Sequence, residues 1–110
     1  MKTLKVLTYN SLFGGFDGSE ASRSAAQVQL INKLQPDIFL MQEARAWDAD
    51  GYGSLFAMEQ RIGMRGFLSP APVTGQHVVT FIREPLKPIR FSSDSAHFHH
   101  AMAALMLQAG

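Results

Sequence analysis

Apolar positions along the 110-residue chain fall into short blocks whose spacing alternates between the two-residue period of a strand and the 3.6-residue period of a helix. Leu4 to Tyr9 (LKVLTY) is mostly apolar, carries Val, Thr and Tyr, and stops at the polar pair Asn10-Ser11, which predicts a first strand. The glycine-rich stretch Phe13 to Ser19 predicts a loop. Ser19 is a candidate N-cap with Glu20 in the first turn. The segment behind it sets Ala26, Leu30, Ile31 and Leu34 on one side of a helix, with Gln27, Gln29, Asn32 and Lys33 opposite in water. Pro36 ends that helix, because the residue before a proline is pushed out of the α region. Asp37 to Glu43 (DIFLMQE) then holds a continuous apolar run between polar ends, the pattern of a central parallel strand buried under two layers. Strand, helix and strand at this spacing predict a βαβ unit.

Beyond it, Ala46 to Gly53 predicts a loop, and Leu55, Met58 and Ile62 mark one face of a second helix that Gly63 can close. Phe67-Leu68 predicts a short strand before the turns at Pro70 and Pro72. His77 to Ile82 predicts a further buried strand bounded by Pro85 and Pro88, and Phe91 to Phe98 reads as polar loop. Ala101 to Leu107 is the last apolar block. It is also the longest, far short of the ~20 residues that span a bilayer. Lys5 and Asn10 interrupt any signal-peptide core at the start. The expectation is a soluble, cytoplasmic protein without a transmembrane segment.

Composition changes this picture in one respect. Charged residues make up 17% of the chain against a usual ~25%, while 46% is hydrophobic and nine residues are glycine. A small domain has proportionally more surface to keep wet, so it should be more polar than average. With the chain stopping just after an apolar strand that no helix follows, 1–110 reads as a single partial domain, a segment lacking its cover. The formal net charge of +1 shows no block of like charge, so nucleic acid is permitted as a partner but not indicated. The absence of cysteine excludes disulfides, thiolate catalysis and cysteine-based zinc sites.

The candidate chemistry lies at the carboxyl ends of the first two predicted strands, Asn10 after VLTY and Glu43 after IFLMQ. In an open α/β sheet ligands bind at the carboxyl ends of strands, and neighbouring strands would bring the two side chains together. Glu43 offers a hard anionic oxygen suited to Mg²⁺, which uses one or two protein carboxylates with waters and substrate phosphate. The Asn10 amide can orient a phosphate oxygen or hold a neighbouring carboxylate. On position alone the competing reading is that Asn10 opens a turn and Glu43 is a solvated strand end.

LKVLTYN followed by a helix and then PDIFLMQE (Leu4 to Asn10, Pro36 to Glu43) resembles the opening of the endonuclease/exonuclease/phosphatase, or DNase I-like, superfamily. The weaker correspondence runs through HVVTFI and AMAALML, so it covers the chain but only the amino-terminal half of the family's domain. The resemblance implies an α/β fold, half of a four-layer sandwich, with one mixed sheet and helices on one face. It also implies a Mg²⁺-dependent phosphoesterase acting on a phosphate ester substrate, with Glu43 on the metal and Asn10 as the catalytic strand-end Asn. Some members carry an Asp two residues past that Asn, where this chain has Leu12. The family's later Asp-x-Asn and Asp-His motifs, which activate water, have no counterpart here. Hydrolysis needs metal charge stabilisation and a base near the attacking water, so these 110 residues alone are expected to be inactive or nearly so.

Two other functions fit the pattern. A non-catalytic half-domain could bury its exposed sheet against a second copy or a complementary carboxy-terminal half, since exposed apolar patches mark interfaces. A flavodoxin-like nucleotide binder would use the loop after the first strand, although FGGFDG lacks phosphate-loop spacing. His97, His99 and His100 are more simply polar loop than a metal site, and Asp48-Ala49-Asp50-Gly51 lacks the downstream Glu of a calcium loop. Trp47 and Tyr52 are expected to pack over the adjacent helix, and Met58, Met64, Met102 and Met106 to fill core gaps.

Overall fold

The computed structural model describes residues 3–11, 21–96 and 102–108. The elements run β1 (Val6–Asn10), α1 (Ala21–Leu34), β2 (Ile38–Arg45), α2 (Ala49–Ile62), β3 (Arg65–Ser69), β4 (Gln76–Ile82), β5 (Lys87–Asp94) and β6 (Met102–Gln108). The first four strands form one sheet in the order β1-β2-β4-β3, with β1 parallel to β2 and the other pairs antiparallel. The β1-α1-β2 crossover is the βαβ unit that the sequence predicts. The sheet around it is mixed, because β4 returns antiparallel beside β2.

One face of this sheet carries the core. Phe39 and Met41 of β2 and Val79 and Phe81 of β4 are fully buried beneath Val28 and Ile31 of α1 and Leu55, Met58 and Ile62 of α2. Phe39 and Phe81 stack with ring centroids 5.5 Å apart, and Trp47 meets Phe81 edge-on at 6.4 Å. Helix α2 turns toward the sheet on the face its spacing predicts. It closes at Gly63, whose left-handed backbone (φ 66°) lets its N–H return to the Glu59 carbonyl. The Arg83 guanidinium then donates to the Pro36 carbonyl beyond α1 (3.0 Å) and to the Ile62 carbonyl ending α2 (3.2 Å), setting a cation where both helix dipoles are negative.

Helix α1 corrects the expected helix face. Gln27, assigned to water, is buried, whereas Leu30 and Leu34 are exposed. Its inward arc passes through Gln27, Val28 and Ile31, because the Gln27 amide reaches the Ser11 carbonyl (3.4 Å) and α1 sits over β1, the edge of the sheet.

The opposite face is partly covered. Strands β5 and β6 form a two-stranded antiparallel sheet, so the polar loop expected over Phe91 to Phe98 is a strand as far as Asp94. Its polarity reflects a hairpin largely open to solvent, and Pro88 falls at the register shift, where a missing N–H is tolerated. The hairpin leans on β3 and β4: Phe91 contacts Phe67 at 5.6 Å between ring centroids, and the buried Ser69 hydroxyl donates to the Met102 carbonyl (3.1 Å). Thr80 and Ile82 are buried here, while Val6 of β1 remains 56% exposed. Met58 and Met64 are core residues as expected, but Met102 and Met106 face outward on β6.

Gly66 is a point of close approach between α2 and the sheet. A Cβ there would stand 2.8 Å from both Leu55 Cδ1 and Phe81 Cε1. Overpacking of this kind costs about 1–3 kcal/mol. Gly66→Ala is accordingly expected to lower the urea-unfolding free energy by that amount, and an unchanged midpoint would contradict the close approach.

Candidate functional site

Regular alternation along β2 would hide Glu43. Phe39 and Met41 point into the core, and a third odd-numbered residue on the same pleat would follow them under the helices. The strand avoids this with a bulge. Met41 pairs with Val79 and Ala44 with His77, so Gln42 and Glu43 together span the place opposite Val78 alone. Glu43 takes a left-handed backbone (φ 57°), and Ala44 resumes the inward pleat with no exposure. For a residue with a Cβ that conformation costs about 1–2 kcal/mol.

The inserted residue returns the carboxylate to the other side of the sheet. In the parallel register of β1 and β2, Asn10 lies opposite Gln42, and Val6, Thr8 and Asn10 form the exposed side of β1. Asn10 Nδ2 donates to Glu43 Oε2 at 2.8 Å. Beside them Gln42 Nε2 donates to Thr8 Oγ1 at 3.0 Å. The two residues that the sequence singles out therefore meet at the carboxyl rim of two parallel strands, with Asn10 holding the carboxylate. Glu43 Oε1 accepts no hydrogen bond from a described residue.

Two features around the pair escape a reading of the sequence. Ser11 is fully buried. Its N–H donates to the Gln42 carbonyl (3.0 Å), and its Oγ lies 2.9 Å from that carbonyl and 3.0 Å from the Glu43 carbonyl. The only trace of this in the sequence is a polar residue directly after a strand. The second is His77, buried one step past the bulge on β4. The Ala71 N–H donates to its Nδ1 (2.9 Å), which leaves Nε2 to carry the proton and donate to Asp48 Oδ1 (2.9 Å). With both ring nitrogens engaged, His77 ties the β3–β4 turn to the start of α2 and is not poised as a base.

Other sequence candidates disperse. Trp47 is core. Tyr52 sits exposed in a left-handed turn (φ 53°, 65° and 64° over Asp50, Gly51 and Tyr52), where its ring meets that of Phe56 at 6.4 Å. The FGGFDG loop and His97 to His100 lie outside the described residues. Among the described residues no three His, Cys, Asp or Glu side chains cluster as a metal cage. A single carboxylate oxygen that accepts no hydrogen bond among the described residues does not suit a zinc-type site. It does fit Mg²⁺, which takes few protein oxygens and keeps waters.

The mixed sheet, helices on one face and a second small sheet begun on the other define half of a DNase I-like sandwich. Among solved structures, the fold is similar to the human Nocturnin catalytic domain with bound sulfate anion, a member of the DNase I-like endonuclease/exonuclease/phosphatase superfamily. The TM-score is 0.75 at 16% identity, and the match covers 96% of this chain and 44% of that one. The chain thus spans less than half of the domain it resembles. No protein-family model and no curated protein sequence matches it.

The backbone strain at Glu43 has a measurable counterpart. Glu43→Gly removes about 1–2 kcal/mol of left-handed strain and adds roughly 0.5–1 kcal/mol of unfolded-state backbone entropy. Glu43→Ala loses the same Asn10 hydrogen bond but keeps the Cβ, so Glu43→Gly should match or exceed Glu43→Ala in urea stability by up to about 1.5 kcal/mol, and a Glu43→Gly clearly less stable than Glu43→Ala would show the residue unstrained.

Proposed function

We propose that this chain is the metal-holding half of a Mg²⁺-dependent phosphoesterase, with Glu43 as metal ligand and Asn10 at the place where the substrate phosphate approaches. The observation that carries the reading is the Asn10–Glu43 hydrogen bond at a strained bulge on the carboxyl rim of the sheet. A strained backbone, preserved where regular alternation would have buried the residue, is more common at functional sites than elsewhere. The similarity in fold to a catalytic domain that binds sulfate, a tetrahedral anion of phosphate's shape, supports the same class of chemistry.

Bound Mg²⁺ would supply positive charge at the phosphoryl oxygens and lower the pKa of a bound water. Glu43 presents Oε1 to that ion, and Asn10 fixes Oε2 so that the carboxylate does not need ordering when the metal arrives. A base for the attacking water belongs to the part of the sandwich that this chain does not span, and the isolated 110 residues are accordingly inactive. Expected results are weak, single-site Mn²⁺ binding by calorimetry, its loss in Glu43→Gln, and background-level hydrolysis of bis(4-nitrophenyl) phosphate. Binding that persists in Glu43→Gln would refute the assignment, as would Mg²⁺-dependent turnover by the isolated chain refute the need for a second half.

A second reading is favoured by the exposed Val6 and the partly covered Ile38 and Leu40, which the β5–β6 hairpin leaves open beside β3 and β4. In this reading the face binds a complementary half or a second copy. Light scattering that finds only monomer, with no association when a complementary half is added, would rule it out.

A further inference from the structure

We infer that Ser11 is a positioning residue for Glu43: its buried hydroxyl pins the bulge that turns the carboxylate to the Asn10 side of the sheet. The inference rests on the reading of Glu43 as metal ligand and extends it to a residue that touches neither metal nor substrate.

The Ser11 hydroxyl stands within hydrogen-bond reach of both carbonyls of the bulged pair, Gln42 at 2.9 Å and Glu43 at 3.0 Å. The Ser11 N–H already serves the Gln42 carbonyl, extending the β1–β2 pairing by one residue. The Ser11 hydroxyl lies against the two residues where β2 and β4 lose register and so bridges the carbonyls on either side of the Glu43 backbone. A left-handed residue in a strand swings its carbonyl out of line with the ladder, and a hydrogen bond to that carbonyl holds the swung position. Ser11 offers that hydrogen bond from a side chain with no exposure, so its position is set by packing.

Gln27 completes the arrangement from above. It is 6% exposed on the inward side of α1, and its Nε2 faces the Ser11 carbonyl at 3.4 Å. This contact accounts for a polar residue on the buried arc of a helix that has Leu30 and Leu34 to offer. From α1 to the rim the order is Gln27, Ser11, Glu43, with Asn10 meeting the same carboxylate from the neighbouring strand.

The test separates the bulge from the metal ligand. In Ser11→Ala, Mn²⁺ affinity measured by calorimetry should fall about 10-fold, the usual scale for residues that orient a ligand. In the metal-free protein the Asn10 side-chain amide protons should move in NMR spectra toward their Glu43→Gln positions. A merely structural role would lower the melting temperature without moving those resonances. Ser11→Thr, which keeps the hydroxyl, should retain the Asn10 resonances. Unchanged Asn10 resonances in a folded Ser11→Ala protein would overturn the inference, while leaving the Glu43 assignment to stand or fall on Glu43→Gln alone. Should Ser11→Ala fail to fold, Gln27→Leu probes the same chain of contacts from the helix. A shift of the Asn10 amide supports the pin, and no shift overturns it.

Discussion

Side chains on a strand alternate between faces, and β2 has to satisfy two demands that alternation sets against each other. Phe39 and Met41 must enter the core, where the stacked pair Phe39 and Phe81 ties the parallel and antiparallel halves of the sheet. Glu43, on the same pleat, must stay in reach of Asn10. A one-residue bulge reconciles them, at the cost of a left-handed backbone at Glu43. Ser11 and Gln27 sit against that insertion, Ser11 Oγ 3.0 Å from the Glu43 carbonyl and Gln27 Nε2 3.4 Å from the Ser11 carbonyl. Without the bulge the carboxylate would be buried unpaired under the helices, which is far costlier than the strain.

The remainder of the fold gives this arrangement a rigid base. The second helix approaches the sheet so closely that a Cβ at position 66 would meet the Leu55 and Phe81 side chains at 2.8 Å, and Arg83 fastens the carbonyl ends of both helices to the far end of β4. At the near end His77 joins the β3–β4 turn to the start of α2 through its two nitrogens. The rim carrying Asn10 and Glu43 is held from the strands below and from the turn beside it, the condition for a side-chain pair to keep one geometry.

Much of this was legible in the sequence. The βαβ unit, the inward face of α2 and the glycine that ends it follow from spacing, and Asn10 and Glu43 stand out as polar residues closing apolar strands. What stayed hidden depends on partners distant along the chain. The face of α1 could not be read from its leucines, since a glutamine took the inward place to reach Ser11, sixteen positions away. Strand β5 resembled a loop because its residues stay wet, and only pairing with β6 makes it a strand. The bulge itself left no mark: IFLMQEAR alternates no differently from an unbroken strand until His77 and Val79 show where a residue has been inserted.

The sign of φ at Glu43 decides whether this account of the rim is correct. In an NMR spectrum of the labelled protein, a left-handed residue gives an intraresidue HN–Hα cross-peak much stronger than its neighbours in a strand. That intensity is expected at Glu43, together with cross-peaks between its side-chain protons and the Asn10 amide. An extended Glu43 with a weak intraresidue peak, its side chain in contact with the helices, would contradict it.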